Sequence, residues 1–292
     1  MTGYHLSTGH VRALVALPED GETTVARAAA RTLPGGWTLN EAPAATGPAA
    51  IVVTTGQAAV SADAATVRLR LPRTVAASST LAYTTYTALE RLRQQRRKVT
   101  IHATAVLRPD GRAVLLLGTK GAGKTSTALA LAAHGWTHAG DDLVVIGMAD
   151  DDHLAVWPGK VTAAIRDPGR PLAPKAQLVL TPFASGPAPL TWIVRLAVHP
   201  AVTAKSLTRA VPLTVNEQLR LHEMLARHLS GLPTPLTGVT GAPYGPVWPL
   251  DTPALARWRS HLITALADCR FDYLHAPDPG TAADLLTLEA NR

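Results

Sequence analysis

A glycine-rich loop carries the strongest chemical signal in this sequence of 292 residues. Residues 118–125 fit the pattern G-x-x-x-x-G-K-[ST] at every fixed position. Glycines let backbone N–H groups turn inward around phosphate oxygens, and the N-terminus of a following helix adds its partial positive charge. A glycine-rich turn that binds no nucleotide is the alternative. The pattern predicts a nucleoside triphosphate site formed by Gly118, Thr119, Lys120, Gly121, Ala122, Gly123, Lys124, Thr125 and Ser126.

Two side chains of this loop have distinct tasks in phosphate chemistry. Lys124 is expected to reach the β- and γ-phosphates, and the hydroxyl of Thr125 is expected to ligate Mg²⁺. ATP or GTP is the expected donor, and the sequence contains no guanine-reading N-K-x-D motif. Because such a loop occurs in ATPases, GTPases, motors and kinases, a second acidic element must decide among them.

An adjacent pair of carboxylates, Asp141 and Asp142, is that second element. The pair precedes the apolar run 143–146, whereas in the common arrangement an Asp closes an apolar strand. Neighbouring carboxylates repel each other, and Mg²⁺ bound to one leaves the other free to take a proton. Two aspartates that merely cap a helix or form a turn are the alternative.

The elements around the loop are predicted in the order strand, glycine loop, helix. Residues 99–107 form a β-rich run, Pro109-Asp110-Gly111 has the chemistry of a tight turn, and 113–117 is almost wholly apolar. Together they predict a hairpin whose second strand is buried. An Ala/Leu-rich helix is predicted over 125–134, ending before a glycine. Further predictions are a hairpin of 143–146 with 154–157, and helices over 216–229, 254–267 and 281–288.

With His102 ahead of the loop, the segment GTKGAGKTS and the pair Asp141-Asp142, the sequence resembles the catalytic domain of HPr kinase/phosphorylase. It equally resembles the smaller HPr-kinase-like proteins of peptide and natural-product biosynthesis. The resemblance spans about residues 99–166. It implies an α/β fold, with a P-loop kinase domain of mixed sheet over residues 79–292. Short apolar runs in residues 1–78 predict a small N-terminal α/β module.

The resemblance also implies catalytic roles. One Asp of the pair acts as base on the acceptor hydroxyl and the other helps to hold Mg²⁺; we expect Asp141 as base and Asp142 as metal ligand. His102 is implied to lie near the phosphates and orient an acidic residue, and a merely packed histidine is the alternative. Arg166, in a segment similar to one in the natural-product kinases, would stabilise charge on the transferring phosphoryl group. A surface arginine is the alternative interpretation.

Composition narrows the class of partner. A net charge of +7, from 28 Lys and Arg against 21 Asp and Glu, suits anionic partners. The single cysteine excludes an internal disulfide framework and favours a cytoplasmic location, and no apolar run reaches the roughly 20 residues of a membrane span. The basic run 91–98 is interpreted as a solvated helix end, so nucleic acid is not expected as a partner.

The sequence departs from HPr kinase/phosphorylase in its first domain and in lacking the Arg-Gly-rich signature after the acidic pair. HPr is therefore not the expected acceptor. The leading hypothesis is an NTP-dependent kinase that phosphorylates an alcohol of a metabolite or a precursor-peptide serine, with negatively charged acceptors slightly favoured. The alternative is a nucleotide-sensing module without an acceptor. The Pro/Gly-rich stretch 231–249 is a candidate lid, and the related kinases often form homo-oligomers.

Overall fold

The computed structural model describes residues 1–7, 12–18, 38–43, 47–165, 175–231, 238–239 and 250–292. They form two compact units, one of Met1–Val99 with Glu223–Ser260 and one of Thr100–His222 with His261–Arg292. This division differs from the predicted boundary after residue 78, because a helix beyond that boundary packs within the first unit. The mixed α/β class expected from the sequence is confirmed.

A six-stranded mixed sheet forms the first unit, in the order β3-β1-β2-β4-β6-β5. Strands β2, β4 and β6 pair in parallel, and the other pairs are antiparallel. Residues alternate between buried Val or Leu and exposed Arg along β6, as expected for a sheet with one covered face. The strands are β1 (Thr2–Ser7), β2 (Arg12–Leu17), β3 (Thr38–Glu41), β4 (Ile51–Thr55), β5 (Ala59–Ala62) and β6 (Val67–Leu71).

Helix α2 (Thr80–Gln95), which follows the short α1 (Arg73–Ala76), is buried over almost all of residues 81–94. The expectation of a solvated basic end is wrong for Arg91 and Arg93, which are both buried. Arg93 pairs at 2.6 Å with Glu90, and both side chains are fully shielded from solvent. Arg91 donates to the backbone carbonyls of Leu250 and Asp63. The helix can bury these charges because partners from its own unit meet them.

The second unit contains most of a nine-stranded mixed sheet. Its path runs β10-β8-β9-β15-β12-β11-β7, with β17 beside β15 and β16 beside β17. Both predicted hairpins are confirmed, as β8 with β9 and β11 with β12. The strands are β7 (Lys98–Ile101), β8 (Thr104–Leu107), β9 (Ala113–Leu117), β10 (Thr137–Gly140), β11 (Val144–Met148), β12 (Leu154–Trp157), β15 (Ala188–Val198), β16 (Ser206–Arg209) and β17 (Arg270–Ala276).

Three parallel strands, β9, β15 and β17, form the centre of this sheet. Every residue of β9 is buried, as expected for a central strand covered on both faces. Helices α3 (Lys124–Ala132) and α6 (Pro279–Ala290) pack together. Their apolar residues form one core cluster with apolar residues of the sheet, including Trp192, and with Trp136. Parallel strands end at one edge of a sheet, so this centre places the loop after β9 beside the end of β15.

The remaining elements include a small ribbon and two more helices. The ribbon pairs β13 (Thr162–Ile165) with β14 (Ala176–Val179). Helix α4 (Val215–Ala226), continued by a 3₁₀ turn (Arg227–Ser230), and helix α5 (Pro253–Asp268) confirm two of the predicted helices, and α6 is the third. None of the helices in the described ranges is both long enough and apolar enough to cross a membrane.

The pair Glu90–Arg93 gives a stability test of the first unit. Replacing Glu90 by Ala leaves the Arg93 guanidinium buried without its carboxylate, so the free energy of unfolding should fall by about 3–5 kcal/mol. Arg68→Ala removes the ion pair with Asp63, whose two side chains are 55% and 53% exposed, and should lower the free energy of unfolding far less. Urea denaturation of both variants measures the contrast, and equal losses would contradict the buried-pair account.

Candidate functional site

The glycine loop between β9 and α3 is shaped by contacts that exclude side chains. Gly123 has φ +88°, and a Cβ there would lie 2.6 Å from the Cβ of Val198 at the end of β15. A Cβ on Gly118, at φ +152°, would lie 2.6 Å from the Cβ of Ala122 and 3.1 Å from the carbonyl of Leu196. The loop is therefore seated against the neighbouring strand, and at these two positions only glycine fits without a shift of the backbone.

Lys124 begins α3 and folds back over this loop. Its Nζ donates to the carbonyls of Gly118 at 2.9 Å and Thr119 at 3.2 Å, and the residue is only 8% exposed. Burial lowers the pKa of Lys124; the nearby charge of Arg195 also lowers it, whereas the two aspartates raise it. Its ammonium therefore lies near the N-terminus of α3, where the first backbone N–H groups have no partners within the helix.

The carboxylate of Asp141 connects three elements. It accepts hydrogen bonds from the hydroxyl of Thr104 on β8 at 2.5 Å, and from the hydroxyl of Thr125 on α3 at 2.9 and 3.0 Å. Asp141 itself is 4% exposed and follows the end of β10. The expected Mg²⁺ ligand of the loop and the acidic pair therefore meet through one buried carboxylate.

Asp142 differs from its neighbour in exposure and partner. The residue is exposed, has φ +68°, and its Oδ1 lies 3.2 Å from Nε2 of His102. The hydrogen bond with His102 lowers the pKa of Asp142, and the positive charges of Lys160 and Lys124 lower it further. Asp142 is consequently ionised at neutral pH and accessible to solvent.

Close backbone packing holds the acidic turn in place. A Cβ on Gly159 would lie 2.8 Å from the carbonyl of Leu143, and a Cβ on Gly140 would lie 3.2 Å from the Cα of Gly159. The N–H of Gly159 also donates to the carbonyl of Ala139 at 2.8 Å. The segment before β13 therefore lies directly against the residues on both sides of the acidic pair.

These groups surround a pocket of about 140 Å³. Among the predicted site residues, the pocket is lined by His102, Lys120, Gly121, Lys124, Thr125 and the two aspartates. The other predicted loop residues lie in the loop and the first turn of α3 and do not line the pocket: Gly118, Thr119, Ala122, Gly123 and Ser126. Arg166 and nearly all of the candidate lid at 231–249 lie outside the described residues. The lining residues are His102, Lys120, Gly121, Lys124, Thr125, Asp141, Asp142, Lys160, Ala164 and Lys175.

Sequence reasoning missed four residues here: Thr104, Lys160, Lys175 and Arg195. Thr104 is one of many threonines, and only the pairing of β8 brings it to Asp141, so no local signal marks it. Arg195 carried a usable signal, because a cation inside the largely apolar strand β15 is unusual. The two lysines flank β13 and β14, and nothing in their spacing indicates a shared pocket.

The oxygen donors of the pocket suit a hard cation. Thr125 supplies a hydroxyl, and Asp141 and Asp142 supply carboxylates, which are the ligand types that Mg²⁺ prefers. Within the described ranges no group of three or more His, Cys, Asp or Glu residues could hold a metal alone. Mg²⁺ usually takes one or two carboxylates together with substrate phosphates and water, so this donor set fits a cation that arrives with a nucleotide.

Comparison with known proteins gives limited likeness. No protein-family model matches the chain, and no curated protein matches it. Among solved structures, the chain is similar to the Hpr(Ser) kinase/phosphatase from Coxiella burnetii, at 20% identity and a TM-score of 0.27, over 36% of this chain and 62% of that one. The likeness covers less than two thirds of that protein's length.

Two loop glycines with nearly the same φ angle provide a matched test of the close contact between the loop and β15. Gly121 has φ +87° and open space where a Cβ would lie, whereas a Cβ on Gly123 would meet Val198 at 2.6 Å. Gly121→Ala should cost about 1–2 kcal/mol from the left-handed backbone alone. Gly123→Ala should cost distinctly more, because the clash adds to the same strain. Thermal unfolding of the nucleotide-free variants measures this, and equal losses would show that the contact with Val198 relaxes freely.

Lys124 allows a pH test with a defined sign. Burial lowers the pKa of Lys124, so the charged form of this lysine is disfavoured in the folded protein. Between that lowered pKa and the ordinary lysine value of 10.5, unfolding takes up a proton, and the stability of the wild type rises with pH. Lys124→Met should therefore raise the free energy of unfolding near neutral pH by about 1 kcal/mol or more. This advantage should shrink toward pH 10.5, where the wild type gains stability.

Urea denaturation near neutral pH and again close to the ordinary lysine value of 10.5 measures the effect. The exposed Lys205→Met is the matched control and should leave stability unchanged at both pH values. A destabilised Lys124→Met variant would show that the hydrogen bonds of Nζ outweigh the burial of its charge.

Proposed function

We propose that this protein is an NTP-dependent kinase that transfers the γ-phosphoryl group to an alcohol hydroxyl of a small metabolite or of a precursor-peptide serine. The observation that carries the proposal is the hydrogen bonding of Thr125 to Asp141. It joins the expected cation ligand of a phosphate-binding loop to an acidic pair in one pocket with Lys124. A phosphate loop needs no second, solvent-accessible carboxylate for binding alone, whereas phosphoryl transfer to a hydroxyl uses one.

On the donor side, the loop and the N-terminus of α3 would hold the phosphates of ATP or GTP. The Nζ of Lys124 would exchange its two carbonyl partners for β- and γ-phosphate oxygens. Thr125 and one carboxylate of the acidic pair would hold Mg²⁺, which when bound neutralises charge on the phosphates. His102 would keep Asp142 in position through their 3.2 Å contact. Arg166 is proposed as a ligand of the transferring group.

On the acceptor side, a carboxylate would accept the proton of the alcohol while the alcohol oxygen bonds to the γ-phosphorus. The bond from that phosphorus to the β,γ-bridging oxygen breaks, and the nucleoside diphosphate leaves. The expectation from the sequence is Asp141 as base and Asp142 as metal ligand. The contacts favour the opposite division, because Asp141 is buried and bonded to two hydroxyls, whereas Asp142 is exposed and ionised.

Matched carboxamide variants test both the activity and this division. With radiolabelled ATP or GTP and a panel of serine peptides and hydroxylated metabolites, Asp142→Asn should lower kcat by about 10²–10⁴-fold at saturating Mg²⁺. Nucleotide affinity should stay unchanged. Asp141→Asn should instead raise the Mg²⁺ concentration needed for half-maximal rate, because it alters the carboxylate bonded to Thr125.

The outcomes separate three possibilities. A loss of kcat in Asp141→Asn together with a raised Mg²⁺ requirement in Asp142→Asn would make Asp141 the base and Asp142 the metal ligand. Full activity in both variants would contradict a carboxylate base altogether. Tight nucleotide binding without phosphorylation of any acceptor would favour the nucleotide-sensing module, since sensing requires the loop but no base.

A further inference from the structure

Lys160 is a buried cation whose charge the proposed nucleotide site does not use. The residue is 9% exposed and lines the pocket beside the acidic pair. Within the described ranges Lys160 makes no hydrogen bond or ion pair. Its positive charge contributes to the lowered pKa of Asp142. A largely buried lysine whose ammonium faces a pocket without a close partner of its own suits a ligand that supplies negative charge.

The position of Lys160 separates it from the loop lysines. It lies two residues before strand β13, and Lys175 directly precedes strand β14, so the two lysines flank opposite ends of the antiparallel ribbon that also contributes Ala164 to the pocket. Lys120 and Lys124 instead come from the glycine loop. The pocket is thus lined by two lysines of the loop and by two lysines that flank the ribbon, together with the two aspartates.

We propose that Lys160 and Lys175 bind an anionic group, a phosphate or a carboxylate, that the acceptor carries close to its reacting hydroxyl. This inference rests on the proposed kinase function and names the class of its acceptor. Because Lys124 already serves the transferring phosphate, the ribbon lysines are available to the second substrate. An anion there would bring the acceptor beside Asp142, the carboxylate whose charge Lys160 influences. Charge-assisted contacts of this kind also fix the orientation of the hydroxyl.

Anion binding to the nucleotide-loaded protein tests the inference without a known acceptor. The phosphate loop is first occupied with Mg²⁺ and a non-hydrolysable analogue, AMP-PNP or GMP-PNP, whichever binds more tightly. Inorganic phosphate and acetate are then titrated separately by calorimetry at constant ionic strength. The wild type should bind at least one of them saturably, and the preferred anion distinguishes phosphate-bearing from carboxylate-bearing acceptors. Lys160→Met should weaken that binding at least tenfold, and Lys160→Arg should restore part of it.

Affinity for the nucleotide analogue is the internal control, and it should change less than twofold in both Lys160 variants. Lys175→Gln, at an exposed position, should weaken anion binding without a folding risk, and exposed Lys205→Met outside the pocket should not. Circular dichroism establishes that each variant is folded.

Three results would overturn the inference. They are an absence of saturable anion binding, unchanged anion binding in the Lys160→Met and Lys175→Gln variants, and a parallel loss of affinity for the analogue, which would make Lys160 a ligand of the nucleotide. Failure of the wild type to bind either analogue would reject the proposed function itself, and the inference with it. Binding of an analogue without anion binding would reject the acceptor class alone.

Discussion

A single buried carboxylate, that of Asp141, organises the candidate site. Its two oxygens accept hydrogen bonds from the hydroxyls of Thr104 on β8 and Thr125 on α3, so three elements separated in sequence meet at one group. Hydrogen bonds to an ionised acceptor are stronger than those between neutral groups, and burial from water strengthens them further. The acidic pair thereby acquires a fixed position relative to the phosphate loop before any ligand binds. Asp142, the next residue, is exposed and contacts His102 instead.

Backbone packing limits how this arrangement can vary. Gly118 and Gly123 lie against β15, and Gly140 and Gly159 bring the acidic turn against the segment before β13. Several of these contacts are made by Cα and carbonyl atoms, which cannot rotate away as a side chain can. The loop, the acidic turn and the segment that carries Lys160 are consequently held together. Preorganised charge of this kind is what phosphoryl transfer requires, because little covalent chemistry falls to the protein.

Local signals in the sequence were sufficient for the loop and its flanking elements. The motif sets its own backbone conformation, and the apolar run of β9 and the Ala/Leu composition of α3 fix the neighbours, so each could be predicted without tertiary information. The burial of α2 could not be predicted, because Glu90 and Arg93 resemble a solvated pair until the surrounding unit covers them. The same holds for Thr104 and Lys160, whose roles depend on strand pairing and on a glycine contact. Residues that act through distant partners leave no periodic pattern in the chain.

The electrostatics of the loop extend beyond the pocket itself. Arg195 lies on β15 opposite Leu117, the last residue of β9, and its charge contributes to the lowered pKa of Lys124. Glu217 on α4 is fully buried and accepts a hydrogen bond from Arg195 at 2.7 Å, and it also pairs with Arg220. A buried carboxylate so placed compensates the charge of Arg195 within the protein, where an unpaired charge would be costly. Glu217 therefore holds Arg195 in place beside the loop, although in the proposed reaction it would touch no phosphate.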